Sequence, residues 1–252
     1  MRLRVLDTET CGLESPDLQI VQIAAVDLVC DSEDGAKGSK WTLDQHRSWY
    51  VNPGRPIPVE AMAIHHTTDK MVEFEPPIDV ILPLVFDGTV DSFAAHNAAF
   101  DMKVLAASGV NNMNGHPCAC TYKGAVTQWP DAPSHKNQVL RYWLNLNLKQ
   151  ELPPHSAIGD AIVTAHIAQR LLSEISLSDW LDLSSKPVLM RHVHFGMHAK
   201  KKWADIPLSY LEYIIYKSAG PWDPDVMHTA KHWHAIKSKA QRSRGPQLQG
   251  PY

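Results

Sequence analysis

Apolar residues dominate "LRVLDTE" near the start of the chain and give way at "TCG", which predicts a strand running into a turn. "IVQIAAVDLVC" predicts a second, mostly buried strand. The polar stretch "DSEDGAKGSK" then reads as a hairpin connection to a third strand at "HRSWYVNP", stopped by Pro53. "PGRPIPVEAMAIHHTTDKM" mixes prolines with short helical pieces, and "PPIDVILPLVFDG" predicts a helix in spite of Pro83. "TVDSFAAHN" reads as a strand leading into a helix near Asn97, and residues 117–148 as mostly helical with a loop at "PDAPSHKN". The clearest helical period is Ile158, Ala161, Ile162, Ala165, Ala168 and Leu172. Pro153 and Pro154 bar helix upstream of it, Ser156 is placed to cap it, and Asp160 is expected in its second turn. Strands first and helices interleaved later predict an α/β fold, a mixed central sheet flanked by helices.

The pattern changes near Ser184, where "SSKP" reads as a linker. Residues 1–180 form the expected main domain and residues 186–236 a small α+β module made of a short strand, a basic turn and two helices. Residues 237–252 are polar with glycine and proline, and a flexible tail is expected there.

Charge sharpens this division. The net charge of −3 conceals 13 Lys and Arg against 23 Asp and Glu in residues 1–185, and 11 against 4 in residues 186–252. An acidic body with a basic end suggests a metal-dependent site in one part and a polyanion contact in the other. An ordinary solvated basic surface is the alternative. Four cysteines in 252 residues make no disulfide framework, and the pair Cys118 and Cys120 has no partner pair at zinc spacing, so Cys11, Cys30, Cys118 and Cys120 read as reduced thiols. No apolar run approaches the roughly 18 to 20 residues that span a bilayer. Asp7 and Glu9 interrupt the N-terminal apolar stretch, so no signal peptide, no membrane partner and a cytoplasmic location are expected.

The candidate chemistry lies in three short segments. Asp7 and Glu9 in "DTE" are two apart, so a strand points both carboxylates to one side. Burying like charges together is costly unless a cation neutralises them. Asn97 and Asp101 in "AHNAAFD" are four apart and share a helix face. Read alone, they are equally well a helix cap and a surface acid. His155 and Asp160 stand in "HSAIGD", and His155 alone is more often a surface or capping residue than a catalyst. Taken together, Asp7, Glu9, Asp101 and Asp160 make an all-oxygen donor set, which suits Mg²⁺ or Mn²⁺ rather than zinc.

"DTE", "HNAAFD" and "HSAIGD", in that order, resemble the three motifs of the DEDD superfamily of 3′→5′ exonucleases, which share a ribonuclease H-like fold. One branch of that superfamily has tyrosine four residues before the last aspartate, where this chain has Ser156; the other has histidine five before it, where His155 stands. The resemblance is therefore to the DEDDh branch, which includes the proofreading subunit of bacterial DNA polymerase III and ribonuclease T. It covers roughly residues 1–175.

The resemblance implies two ions per site. Asp7 would touch both, Glu9 and Asp160 would complete one position, and Asp101 would support the other. His155 would be the general base for the attacking water. Thr8, Thr10, Leu13, Asn97 and Phe100 are the implied neighbours of the 3′-terminal nucleotide; Leu13 is divided evenly between that role and the core, and Phe100 inclines to the core. Asn97 is expected both to cap its helix and to help place Asp101. His65 and His66 resemble a segment near substrate but suit a structural role equally, and His192, His194 and His198 lack a carboxylate or cysteine to complete a metal site. Lys200, Lys201 and Lys202, followed by Lys231, Lys237, Lys239, Arg242 and Arg244, are candidates for phosphate contact. The expected activity is metal-dependent release of nucleoside monophosphates from the 3′ end of DNA. RNA trimming is the alternative substrate, and a proofreading subunit of a polymerase is a third reading for which the chain gives no specific indication.

Overall fold

The computed structural model describes residues 1–110, 112–148, 155–219 and 221–243. Its first unit, Met1–Ser185, is organised around strand β1, Arg2–Thr10. With β2 (Ile20–Cys30), β3 (Trp41–Tyr50), β4 (Ser92–Ala95) and β5 (Cys118–Cys120), it forms a five-stranded sheet in the order β3-β2-β1-β4-β5. The β1–β2 and β2–β3 pairs are antiparallel, whereas β1–β4 and β4–β5 are parallel. The helices of this unit are α1 (Val59–His65), α2 (Asp69–Val72), α3 (Ile78–Val85), α4 (Ala98–Ala107), α5 (Thr121–Gln128), α6 (Asn137–Trp143), α7 (Ala157–Leu172) and α8 (Leu177–Ser184).

Period-two alternation along β1 feeds two apolar layers. Leu3 and Val5 join a core with Ala24, Val26 and the buried face of α7. Leu6 joins another with Ile23, Phe93, Val104 and Leu105, against α3 and α4. Arg4, only 2% exposed, points into that second layer and is paired there. Its Nε and Nη2 donate to the two oxygens of Asp27 at 2.7 and 2.8 Å, and its Nη1 donates to the carbonyls of Val85 and Asp87 at 2.7 and 2.8 Å. A buried ion pair holds its place only when its remaining donors are satisfied, as they are here.

The mixed sheet with flanking helices is as expected, but several boundaries move. β3 begins at Trp41, five residues before the stretch the sequence marked, because Trp41 pairs with Cys30 of a long β2. Residues 118–120, expected within a mostly helical region, form β5; they are strand because β4 offers them a parallel edge. The Trp180 indole, fully buried in α8, packs against β5 and donates to the Cys120 carbonyl at 3.0 Å. Asp160 lies in the first turn of α7, not the second, because the helix starts at Ala157 behind the Ser156 cap.

The second unit, Lys186–Tyr252, holds a tight turn and two principal helices, α9 (Leu208–Glu212) and α10 (Pro224–Ser243). The expected short strand is reduced to one isolated bridge, His192 to Lys202, flanked by Val193 N–H to Lys201 carbonyl and Lys200 N–H to Val193 carbonyl at 2.8 and 2.7 Å. α9 continues into a π-helical turn, Tyr213–Lys217. Of the expected flexible tail, residues 237–243 are helical instead, since Lys, Ala, Gln and Arg prolong α10 at little cost. Residues 244–252, and with them Arg244, lie outside the described residues. Among the described residues no helix is long and apolar enough to cross a membrane.

Candidate active site

The last third of β1 departs from the apolar rule. Asp7 and Glu9 extend the face that begins with Leu3 and Val5, directly beneath the first turn of α7. That turn delivers Asp160, and carboxylate oxygens of Asp7, Glu9 and Asp160 all lie within 4.8 Å of one another. Among the described residues they are the group able to hold a metal ion.

Asp101 reaches the site from the opposite layer. It is 5% exposed on α4, and its Oδ1 accepts a 2.8 Å bond from the Thr8 hydroxyl. Thr8, expected beside the terminal nucleotide, turns toward α4 and fastens the fourth carboxylate. Asn97 occupies the cap position of α4 in the left-handed conformation, φ 64°, which asparagine tolerates better than most residues. Its side chain makes no cap hydrogen bond, so the expected capping role is positional only.

This crowding has a clear electrostatic signature. Burial, followed by the charges of Asp101, Asp160 and Glu9, pushes the Asp7 carboxyl well above the usual carboxylate range. Burial and the charges of Asp160 and Asp101 raise Glu9 to about 7. Burial raises Asp101 to about 7 despite the opposing bond from Thr8. Asp160 is raised too, by burial, against donors from Gln138 and the His155 backbone. Four acids that resist ionising together, with oxygen donors alone, fit a hard divalent cation that would neutralise them.

Two residues that place Asp160 were not foreseen. Gln138 Nε2, on α6, donates to Asp160 Oδ1 at 2.5 Å, while the His155 N–H donates to Oδ2 at 3.1 Å. Gln22 lies opposite Glu9 on β2, and its Oε1 accepts from the Ala157 N–H at 3.0 Å, locking the start of α7 to the sheet. Neither glutamine stands in a distinctive motif; only the tertiary pairing reveals them. His155 itself is exposed, with φ 57°, and its backbone is held to Asp160.

The remaining candidates separate. Leu13 is 73% exposed, which removes it from the core. Phe100 is partly buried against the α4 layer. The Thr10 hydroxyl donates to the Gly12 carbonyl at 2.7 Å. His65 is buried, with Nδ1 accepting from the Thr67 N–H at 3.0 Å. The four cysteines are free. Lys200, Lys201 and Lys202 are exposed in the second unit.

A mixed five-stranded sheet whose central strand ends in two acids, with further carboxylates from helices in both layers, defines a nuclease of ribonuclease H-like fold. The exonuclease family model matches residues 5–168, and the chain belongs to that family. It is 32% identical over 242 residues to Exodeoxyribonuclease 10 of Escherichia coli strain K12, covering 92% of this chain and 98% of that protein. It is 33% identical over 174 residues to a DNA polymerase III subunit epsilon-like protein of Rhodobacter capsulatus, covering 67% of this chain and 23% of that one. Among solved structures it is similar to exonuclease X in complex with 5′ overhanging duplex DNA, with a TM-score of 0.59 and 32% identity over 72% of this chain and 99% of that one. The nuclease domain of 3′hExo, a DEDDh family member bound to rAMP, shares the fold, with a TM-score of 0.53 at 14% identity over 69% of this chain and 92% of that one.

Proposed function

We propose that this exonuclease is a metal-dependent 3′→5′ exodeoxyribonuclease that releases nucleoside monophosphates. The observation that carries the reading is the convergence of Asp7, Glu9 and Asp160 within 4.8 Å, with Asp101 tied to the same strand through Thr8. The division into a trio and a fourth acid suits two cations, Mg²⁺ or Mn²⁺: Asp7, Glu9 and Asp160 would hold one, and Asp7 with Asp101 the other. When bound, such ions stabilise charge on both the attacking and the leaving oxygen of phosphodiester hydrolysis.

The chain's own groups do the rest. The His155 imidazole, exposed beside Asp160, takes the proton from the attacking water as general base. Gln138 and the His155 backbone keep both oxygens of Asp160 aimed. Leu13, exposed beyond the end of β1, meets the terminal base, and Thr8, Thr10, Asn97 and Phe100 border the terminal nucleotide. DNA is the substrate favoured by the likeness to Exodeoxyribonuclease 10 and to a DNA-bound exonuclease X. RNA trimming is the competing substrate reading, and the likeness to a polymerase subunit epsilon-like protein leaves a polymerase partner as a third.

The test is a product ladder from 5′-labelled single-stranded DNA, duplex DNA and RNA, with Mg²⁺ and with chelator. Shortening from the 3′ end of DNA only when metal is present is expected. Internal cleavage, cleavage from the 5′ end, or equal activity in chelator would overturn the proposal.

A further inference from the structure

The second unit carries aromatic side chains whose exposure its own packing does not require. Tyr213 is 48% and Tyr216 68% exposed. A tyrosine bears a large apolar ring, and a folded unit of this size ordinarily covers most of it. These two sit in the π-helical turn Tyr213–Lys217, an irregularity that often marks a functional site.

Neighbouring rings brace these tyrosines. Tyr210 stands edge-on to His198 with ring centres 4.4 Å apart. Tyr210 and Tyr213 are stacked, 6.0 Å between centres and 28° between planes. Tyr216 meets His234 of α10 edge-on at 5.8 Å. Tyr210 lies in α9 and Tyr213 and Tyr216 in the π turn that continues it.

Basic groups border both ends. At one end the turn that contains His198 continues directly into exposed Lys200, Lys201 and Lys202, and the turn lies close enough for a Cβ on Gly196 to come within 3.0 Å of the Tyr210 hydroxyl. At the other end Lys217 belongs to the π turn itself. Lys231 and Lys237 stand three residues either side of His234, so they share the face of α10 that meets Tyr216. Residues 186–252 carry 11 Lys and Arg against 4 Asp and Glu.

We propose that the stacked Tyr210–Tyr213 pair and the exposed Tyr216, between the Lys200–Lys202 turn and the Lys231–Lys237 face, are a second nucleic-acid site that takes single-stranded DNA by stacking bases on the tyrosines and pairing phosphates with the lysines. Every base offers a π face, so such a platform holds strands without reading their sequence. The charge selects a polyanion, and the exposed rings select one whose bases are unpaired. As a deepening of the exonuclease reading, it supplies a hold on the substrate strand that needs none of the four acids.

The test uses the full chain and a fluorescein-labelled oligothymidylate, with anisotropy measured in chelator so that no cleavage occurs. Replacing both tyrosines, Tyr213→Ala with Tyr216→Ala, is expected to raise Kd about tenfold or more. Tyr213→Phe with Tyr216→Phe keeps the rings and is expected to bind as the parent does. Lys200→Ala, Lys201→Ala and Lys202→Ala together are expected to reduce the slope of log K against log salt by about 2. Hydrolysis of a thymidine 5′-phosphate nitrophenyl ester with Mg²⁺, which needs only the acid site, is expected to be unchanged in all of them. Unchanged Kd in the alanine pair, or an equal loss in the phenylalanine pair, overturns the stacking site. Duplex DNA competing as well as single strand overturns it too. If the variants respond as expected but neither ester nor DNA is hydrolysed, the exonuclease reading fails while the binding site stands.

Discussion

The acid site should make the metal-free enzyme less stable than a variant that has lost its chemistry. Glu9 is raised from 4.5 to about 7 in the fold by burial and by the charges of Asp160 and Asp101. Between those values the folded state binds more protons than the unfolded state, so stability falls as pH rises through the window, and the whole penalty is present above pH 7. A shift of this size corresponds to about 3 kcal/mol at 1.36 kcal/mol per pH unit, and to less for a half-buried group whose surroundings relax, so about 1–3 kcal/mol is expected. Glu9→Gln keeps the shape and removes the charge. In chelator at pH 8 it should therefore melt about 2–10 °C higher than the parent. At pH 5, where Glu9 is largely protonated in the folded parent, the gap should shrink to about 1 kcal/mol or less. With Mg²⁺ the order should reverse, because the intact acids gain binding energy that the variant lacks. Thermal melts at the two pH values, each with chelator and with Mg²⁺, give the comparison. A variant no more stable than the parent at pH 8 in chelator, or a gap that ignores pH, would refute electrostatic crowding as the defining property of this site.

His155→Ala should reduce turnover to near background while Mg²⁺ and DNA binding persist; unchanged kcat removes His155 from the mechanism. Gln138→Ala should weaken Mn²⁺ binding about tenfold or more by calorimetry, because Asp160 loses the donor that orients it; unaltered affinity would show that α6 does not position the acid. Asp27→Ala strands the buried Arg4 guanidinium and should cost about 3–5 kcal/mol in denaturant unfolding, and a loss under about 1 kcal/mol would contradict the burial of that pair.

The site was legible from three short segments taken together and from their resemblance to a family, since Asn97, Asp101 and His155 read singly fit ordinary structural roles. Strand alternation alone set Asp7 and Glu9 on one face, and helical spacing alone marked α7. What escaped depends on partners distant in sequence. β5 is three residues long and exists only because β4 lies beside it, while the surrounding residues look helical. Gln22 and Gln138 acquire their roles through bonds to Ala157 and Asp160, 135 and 22 residues away. Leu13 could not be assigned from its apolar character, since a leucine beyond a strand end is core in one fold and surface in another; its 73% exposure decides the matter. The resemblance placed Thr8 beside the terminal nucleotide, and its bond to Asp101 shows only once α4 lies next to β1.

The pairing of β1 with β2 shifts register just after the second acid: Glu9 lies opposite Gln22, but Thr10 lies opposite Ile20, so Val21 has no partner across the pair. A one-residue slip anywhere within β1 would exchange Thr8 for the acids and dismantle both layers of the site. Past the bulge the chain stays tied, through the Cys11 N–H to Gln19 carbonyl bond at 2.9 Å, but no acid of the site lies in the loop beyond it. Residues 11–19, which carry the exposed Leu13, join two strands whose alignment is already fixed upstream. The exposed positions Leu13, Glu14, Ser15 and Pro16 can vary without shifting the register of β1, whereas Cys11, Gly12 and Leu18 are held by packing. The bulge between Glu9 and Thr10 is the seam between a strand whose register fixes the acids and a loop that is pinned at Cys11 and Leu18 but open at Leu13.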